Sequence, residues 1–230
     1  VQWRRLLSLL GLPGNEFHTA VACQERDIDE FLTDILRLFK SRALLQHESG
    51  GGENVLQLFP DSSSSLKAFT TEMLLEFTMK EQNFRIIGSS PSLLFLQSPR
   101  FNKADRSTTV VPSSELSFQG QQYHLLACLC IGTSHYISFV MPKWNEEKGT
   151  CKAYFFDSMH DRVEDRENIP LIREADLSGL FPFLIEDDSS VSSLNEDCHR
   201  LLSDLSMCIY IANHLAVRSP IDPSSSSLHH

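Results

Sequence analysis

The hydrophobic period of this chain switches from helical to strand-like near residue 90, and that switch limits the architectures open to it. Before it, Ile28, Phe31, Leu32, Ile35, Leu36 and Phe39 recur at three- and four-residue steps, the stripe of a helix with one face on a core. Asp27 with Glu30 three residues on resembles a capping box. The spacing predicts a helix over 28–40, with Gly50-Gly51-Gly52 as a loop beyond it. A short amphipathic helix is expected ahead of Gly11-Leu12-Pro13-Gly14, and another after Ser65, which can cap Leu66, Phe69, Met73, Leu74 and Phe77.

After the switch, segments 92–97, 108–111, 115–118, 123–131, 135–141 and 151–156 are short, apolar or alternating, and rich in β-branched or aromatic residues. They predict a largely antiparallel sheet. Ser193, with Glu196 three residues on, predicts the cap of a last helix reaching Leu205, and 207–212 predicts a closing strand. Helices first and strands after, with no β-α-β rhythm and no repeats, indicate an α+β fold. One domain over 1–218 is expected, followed by a disordered Ser/Pro tail over 219–230.

Composition narrows the function classes. Thirty acidic against 20 basic residues give a net charge of −10, which repels phosphate backbones and anionic membrane surfaces. No nucleic-acid partner and no membrane partner are expected. The longest apolar run, 125–131, is far too short to span a bilayer. The start, Val1-Gln2-Trp3-Arg4-Arg5 and then leucines, has the order of a signal peptide, but Ser8, Gly11 and Pro13 cut its apolar part short. The first residue is not methionine, so a preceding segment is expected. Cys23, Cys128, Cys130, Cys151, Cys198 and Cys208 form no C-x-x-C pair, which indicates neither a zinc site nor a disulfide framework and favours the cytoplasm.

The chemistry concentrates in Thr133-Ser134-His135-Tyr136-Ile137-Ser138-Phe139-Val140 and Cys151-Lys152-Ala153-Tyr154-Phe155-Phe156-Asp157-Ser158-Met159. If these form a hairpin about the polar stretch centred on Glu146, unbulged pairing sets His135 opposite Asp157. A base then meets an orienting acid. Such a carboxylate fixes the ring's tautomer and offsets the charge the ring gains on taking a proton from a nucleophile. The competing reading of the spacing alone is a half-buried histidine beside a strand-end aspartate.

The segment from His135 to Met159 resembles the histidine and aspartate boxes of the ubiquitin-specific proteases. Phe155-Phe156-Asp157-Ser158-Met159 is most similar to their cylindromatosis-type branch. Gln24-Glu25-Arg26-Asp27-Ile28-Asp29-Glu30-Phe31-Leu32 resembles the family's Gln-Asp-acid-Glu-Phe-Leu helix, and Leu93-Leu94-Phe95-Leu96-Gln97-Ser98-Pro99-Arg100-Phe101 its strand ending in Pro-Arg-Phe. The resemblance implies a partial papain-like fold that hydrolyses the isopeptide or peptide bond after ubiquitin's C-terminal glycine, without a cofactor. It implies His135 and Asp157 as catalytic base and orienting acid, Ser134 and Tyr136 beside them in contact with substrate, and ubiquitin and polyubiquitin chains as partners.

The departures carry expectations too. The family's nucleophile lies in an Asn-x-Cys box upstream of the Asp-Glu-Phe-Leu helix, and this sequence has no such box. The chain alone is expected to be inactive. Ser134 stands where many relatives have glycine, and the connection from Phe101 to Tyr123 holds no cysteine for a zinc-binding insert. Cys23 precedes a predicted helix N-terminus, where the dipole lowers a thiol's pKa, but its flank Ala20-Val21-Ala22-Cys23-Gln24 lacks the box. Cys128 and Cys130 share a strand face and belong to a core. The rival reading is a non-catalytic ubiquitin-binding module.

Overall fold

The computed structural model describes residues 45–46, 52–60, 66, 68–81, 85–86, 90–99, 109–132, 135–145, 150–161, 169–177, 179–180 and 194–213. The predicted helices over 28–40 and before Gly11, and the tail over 219–230, lie outside the described residues. The chain divides into two units, one of Val1–Leu56 with Asn83–Gly88 and one of Gln57–Gln82 with Ser89–His230. In the first, β1 (Leu45–Gln46) pairs antiparallel with β2 (Gly52–Glu53) and with β5 (Arg85–Ile86). Gly52 thus opens a strand, where the sequence suggested only a loop. Strand β3 (Val55–Gln57) runs across the boundary in sequence.

The second unit holds, in chain order, β4 (Ala68–Thr70), α1 (Thr71–Glu81), β6 (Leu93–Gln97), β7 (Thr109–Val111), β8 (Glu115–Phe118) and β9 (Gln121–Gly132). It continues with β10 (His135–Asn145), β11 (Thr150–Asp161), β12 (Ile169–Ala175), α2 (Glu196–Asp204) and β13 (Leu205–Ala212). The sheet order runs β12-β11-β10-β9-β13-β6, with β8 also on β9, and each of these pairings is antiparallel. This is the α+β arrangement expected from the period switch. The β8–β9 hairpin turns through Gln119 and Gly120, both at positive φ (52° and 73°), the backbone of a tight turn that glycine accepts without strain.

Most of the core lies on one sheet face, although Phe95, Ala127 and Met207 are buried on the other. Leu94, Leu96, Tyr123, Cys128, Cys130, Ile137, Phe139, Phe155, Cys208 and Tyr210 are buried on the first, and the alternation of strand side chains sends their neighbours to the other face. There Phe156 and Ile172 stay exposed. Both helices cover the core face. From α1, Thr71 Oγ1 meets the Tyr210 hydroxyl at 2.6 Å, Tyr210 donates to the Ser113 carbonyl at 2.9 Å, and Ser113 N–H donates back to Thr71 Oγ1 at 2.9 Å. Three buried polar groups thereby satisfy one another. From α2, the Leu201 carbonyl accepts from the Cys130 thiol at 3.8 Å.

The structure corrects several boundaries. The helix expected after Ser65 begins at Thr71, because Ala68–Thr70 pairs parallel with β7. Thr70 Oγ1 accepts from Met73 N–H at 3.1 Å and takes the capping role. Leu66 and Met73, expected in the apolar stripe, are exposed. The last helix is capped by Asn195, whose Oδ1 accepts from Cys198 N–H at 2.9 Å, and not by Ser193. Strand β12 was missed altogether.

Candidate active site

His135 opens β10 and pairs with Gly132, the last residue of β9. Asp157 lies opposite Ile137 on one side and Leu171 on the other. The sequence expectation of His135 directly opposite Asp157 is therefore off by two residues. Asn145 opposite Thr150 closes the turn three positions from the expected register, and a bulge of one extra β10 residue between Val140 and Lys143 takes one back. A shift of two keeps both residues on one face and makes them diagonal neighbours, within reach of long side chains. His135 Nε2 lies 2.5 Å from Asp157 Oδ1, with the histidine side chain 26% exposed and the aspartate 8%.

An ionised carboxylate has only lone pairs to offer, so Nε2 carries the hydrogen and donates it. That leaves Nδ1 with the lone pair. A base whose basic nitrogen is free, and whose other nitrogen is held by a buried acid, is the constellation that activates a nucleophile. Tyr136 is half-buried and points to the opposite sheet face from His135, opposite Ile131. Ser134 lies outside the described residues.

The floor beneath the dyad is rigid. Phe155, two residues before Asp157 on the same face, packs edge-on against Phe139 with ring centroids 5.4 Å apart. The Arg173 and Arg200 guanidinium carbons stand 4.5 and 5.3 Å from the Phe155 centroid. An open pocket of about 460 Å³ follows, lined by Phe155, Leu171, Arg173, Asn195, Asp197 and Arg200 among others. Arg173 donates twice to Asp197, at 2.6 and 2.8 Å, and ties edge strand β12 to the start of α2. Phe139 and Phe155 lie in the two segments singled out in the sequence, but Arg173 does not, because Pro170 and the charges of Ile169–Ala175 disguise a strand.

The Arg173 guanidinium, with help from the Asp176 backbone N–H, holds the Asp197 carboxyl below the usual carboxylate range. A depressed pKa adds stability that is complete above the unfolded value, about 4, and is lost as pH falls through the folded one. Urea midpoints measured from neutral to acid pH should show this loss, and Asp197→Asn should flatten it. An unchanged acid slope in the variant would remove the pair from the stability balance.

None of the four cysteines whose side chains are described suits a nucleophile. Cys128, Cys130, Cys198 and Cys208 are all buried thiols outside any disulfide, as expected of Cys128 and Cys130. Burial pushes the Cys130 thiol well above its ordinary pKa and that of Cys198 up to about 11, whereas an attacking thiolate needs a lowered one. Cys23 lies outside the described residues.

No family model matches the chain. Among curated proteins it is 25% identical over 278 residues to the ubiquitin carboxyl-terminal hydrolase CYLD of Mus musculus, and equally to that of Rattus norvegicus. The match covers 81% of this chain. This is a ubiquitin-specific-protease-like domain. The match takes in only 28% of the length of those curated relatives. Solved structures with some likeness to this protease-like domain include the Saccharomyces cerevisiae Pan2 pseudoubiquitin hydrolase-RNA exonuclease module (TM-score 0.49, 11% identity, 94% of this chain and 43% of that one). The Ubp8 chain set of the SAGA DUB module follows at TM-score 0.33, 16% identity, 69% of this chain and 33% of that one.

Proposed function

We propose that this domain carries the acid–base half of a cysteine-type deubiquitinase, hydrolysing the isopeptide or peptide bond after ubiquitin's C-terminal glycine. The observation that carries the reading is the His135 Nε2 to Asp157 Oδ1 bond in a chain similar to CYLD over most of its length. His135 Nδ1 takes the proton of a cysteine thiol from outside the described residues, and the thiolate attacks the glycine carbonyl. The C–N bond breaks, its nitrogen takes that proton from His135 Nδ1, and a thioester remains. Water then gives a proton to Nδ1 and its hydroxide attacks the thioester, releasing the thiolate and ubiquitin's carboxylic acid, which loses its proton to solvent. Asp157 holds the ring through both steps. Ser134 flanks the base in sequence and would meet the substrate tail near it; Tyr136, on the opposite sheet face from His135, would reach the tail only where it leaves that face. Thiols outside disulfides suit a cytoplasmic site of action.

A second reading, a ubiquitin binder without turnover, is favoured by one observation, the absence of an Asn-x-Cys box from this sequence. Both readings predict that the chain alone binds ubiquitin yet forms no covalent adduct with a ubiquitin bearing an electrophile at its C-terminus. Mass spectrometry after incubation checks this. An adduct mapped to Cys23 would make that residue the nucleophile, and failure to bind ubiquitin at all would sink both readings. Appearance of an adduct and of hydrolysis in a longer product of the same transcript would decide for the enzyme.

A further inference from the structure

Asp204 is the last residue of α2 and is half-buried. A carboxylate there opposes the partial negative charge of a helix C-terminus, and α2 has no basic residue in its last turn to offset it. Ser203 Oγ is within donating reach of Asp204 Oδ1 at 3.1 Å and of the Arg200 carbonyl at 3.2 Å, and among the described residues no cation pairs with either carboxylate oxygen. Folding alone disfavours a charge at this place.

Its position relates it to the dyad. A Cβ built on Gly132 would stand 3.3 Å from Asp204 Oδ2, so the carboxylate rests against the end of β9 and would have to give by a few tenths of an ångström to admit a side chain there. Gly132 pairs with His135, and paired residues direct their side chains to the same sheet face. On that face the order is Asp157 on β11, His135 on β10, Gly132 on β9, and the Asp204 carboxylate against Gly132. The imidazole thus has one bonded acid on one side and, on the other, an acid that no cation among the described residues pairs with.

We propose that Asp204 receives the amine released from the acceptor side of the scissile bond, as a specificity-determining residue for conjugates made through a lysine side chain. The inference rests on the deubiquitinase reading above. When the C–N bond breaks, the nitrogen takes one proton from His135 Nδ1 and becomes a primary amine. With a pKa near 10.4 that amine takes a second proton from water at neutral pH. The resulting ammonium meets a carboxylate held by Ser203 and supported by the negative end of α2. The charge that α2 leaves uncompensated is then balanced by substrate.

The test uses equilibrium binding by the present chain, which needs no nucleophile. One probe is a ubiquitin dimer joined at lysine through a secondary amine, protonated at neutral pH and not hydrolysable; the other is the same dimer with its natural amide. The wild-type chain should bind the amine-linked dimer about tenfold more tightly, the size of one charge-assisted hydrogen bond in a half-buried site. Asp204→Asn should reduce the ratio to near one. Gly132→Ala, which pushes the carboxylate without removing it, should give an intermediate ratio, and a thermal melt checks that each variant is folded. Equal binding of both probes by the wild-type chain, or a preference that survives Asp204→Asn, overturns this role and leaves the deubiquitinase reading standing. Binding of neither probe overturns the ubiquitin reading and this inference with it.

Discussion

Replacing His135 with alanine should lower single-turnover cleavage of a ubiquitin conjugate by roughly 10²- to 10⁴-fold in the protein that carries its nucleophile. The only ring nitrogen left free by Asp157 is Nδ1, and without it nothing described nearby takes the thiol proton or returns one to the leaving amine. Asp157→Asn should cost less. An asparagine carbonyl can still accept from Nε2–H, although the amide can also turn its NH₂ to the ring and impose the wrong tautomer. Neither change should alter equilibrium ubiquitin binding more than about twofold, since the pair acts chiefly as the transition state forms. Near wild-type turnover by His135→Ala would make the histidine structural. Recovery of its turnover only at high pH, where the thiol ionises by itself, would uphold the base.

Phe155→Ala should be the most damaging core substitution near the site, costing about 3–5 kcal/mol of folding stability. The ring is 1% exposed, stacks edge-on against Phe139, and supports two guanidinium groups. Its loss opens a cavity under β11 just before Asp157 and removes the surface on which Arg173 and Arg200 lie. For a chain of this size the melting temperature should fall by about 10 °C, and the urea midpoint should fall with it. A loss under about 1 kcal/mol would mean that the strand collapses into the gap and that the dyad's floor is not rigid.

The sheet was legible because β9, β10, β11 and β13 carry long apolar or alternating runs whose period tertiary packing had no reason to override. The partnership of His135 with Asp157 was legible for the same reason, since parity along two strands survives a shift of two residues. The register itself was not. The turn beyond Lys143 is polar, with no hydrophobic pattern to fix its centre. Strand β12 escaped because Pro170, Arg173 and Glu174 read as loop, though an edge strand tolerates proline and charge. With β12 went the Arg173 to Asp197 bond, which joins residues far apart in sequence. Asp204 was invisible for another reason. Its interest lies in what it touches, the bare backbone of Gly132, and contact of that kind leaves no trace in spacing or composition.

Asp157 holds His135 with Nε2 protonated and Nδ1 free to act as base. Nitrogen-15 NMR of the histidine rings in the 230-residue chain tests this without need of a nucleophile. At a pH where the ring is neutral, His135 should show a protonated Nε2 and an unprotonated Nδ1, and Asp157→Ala should abolish this preference. A dominant Nδ1–H tautomer in the wild-type chain, or a tautomer indifferent to loss of Asp157, would contradict it.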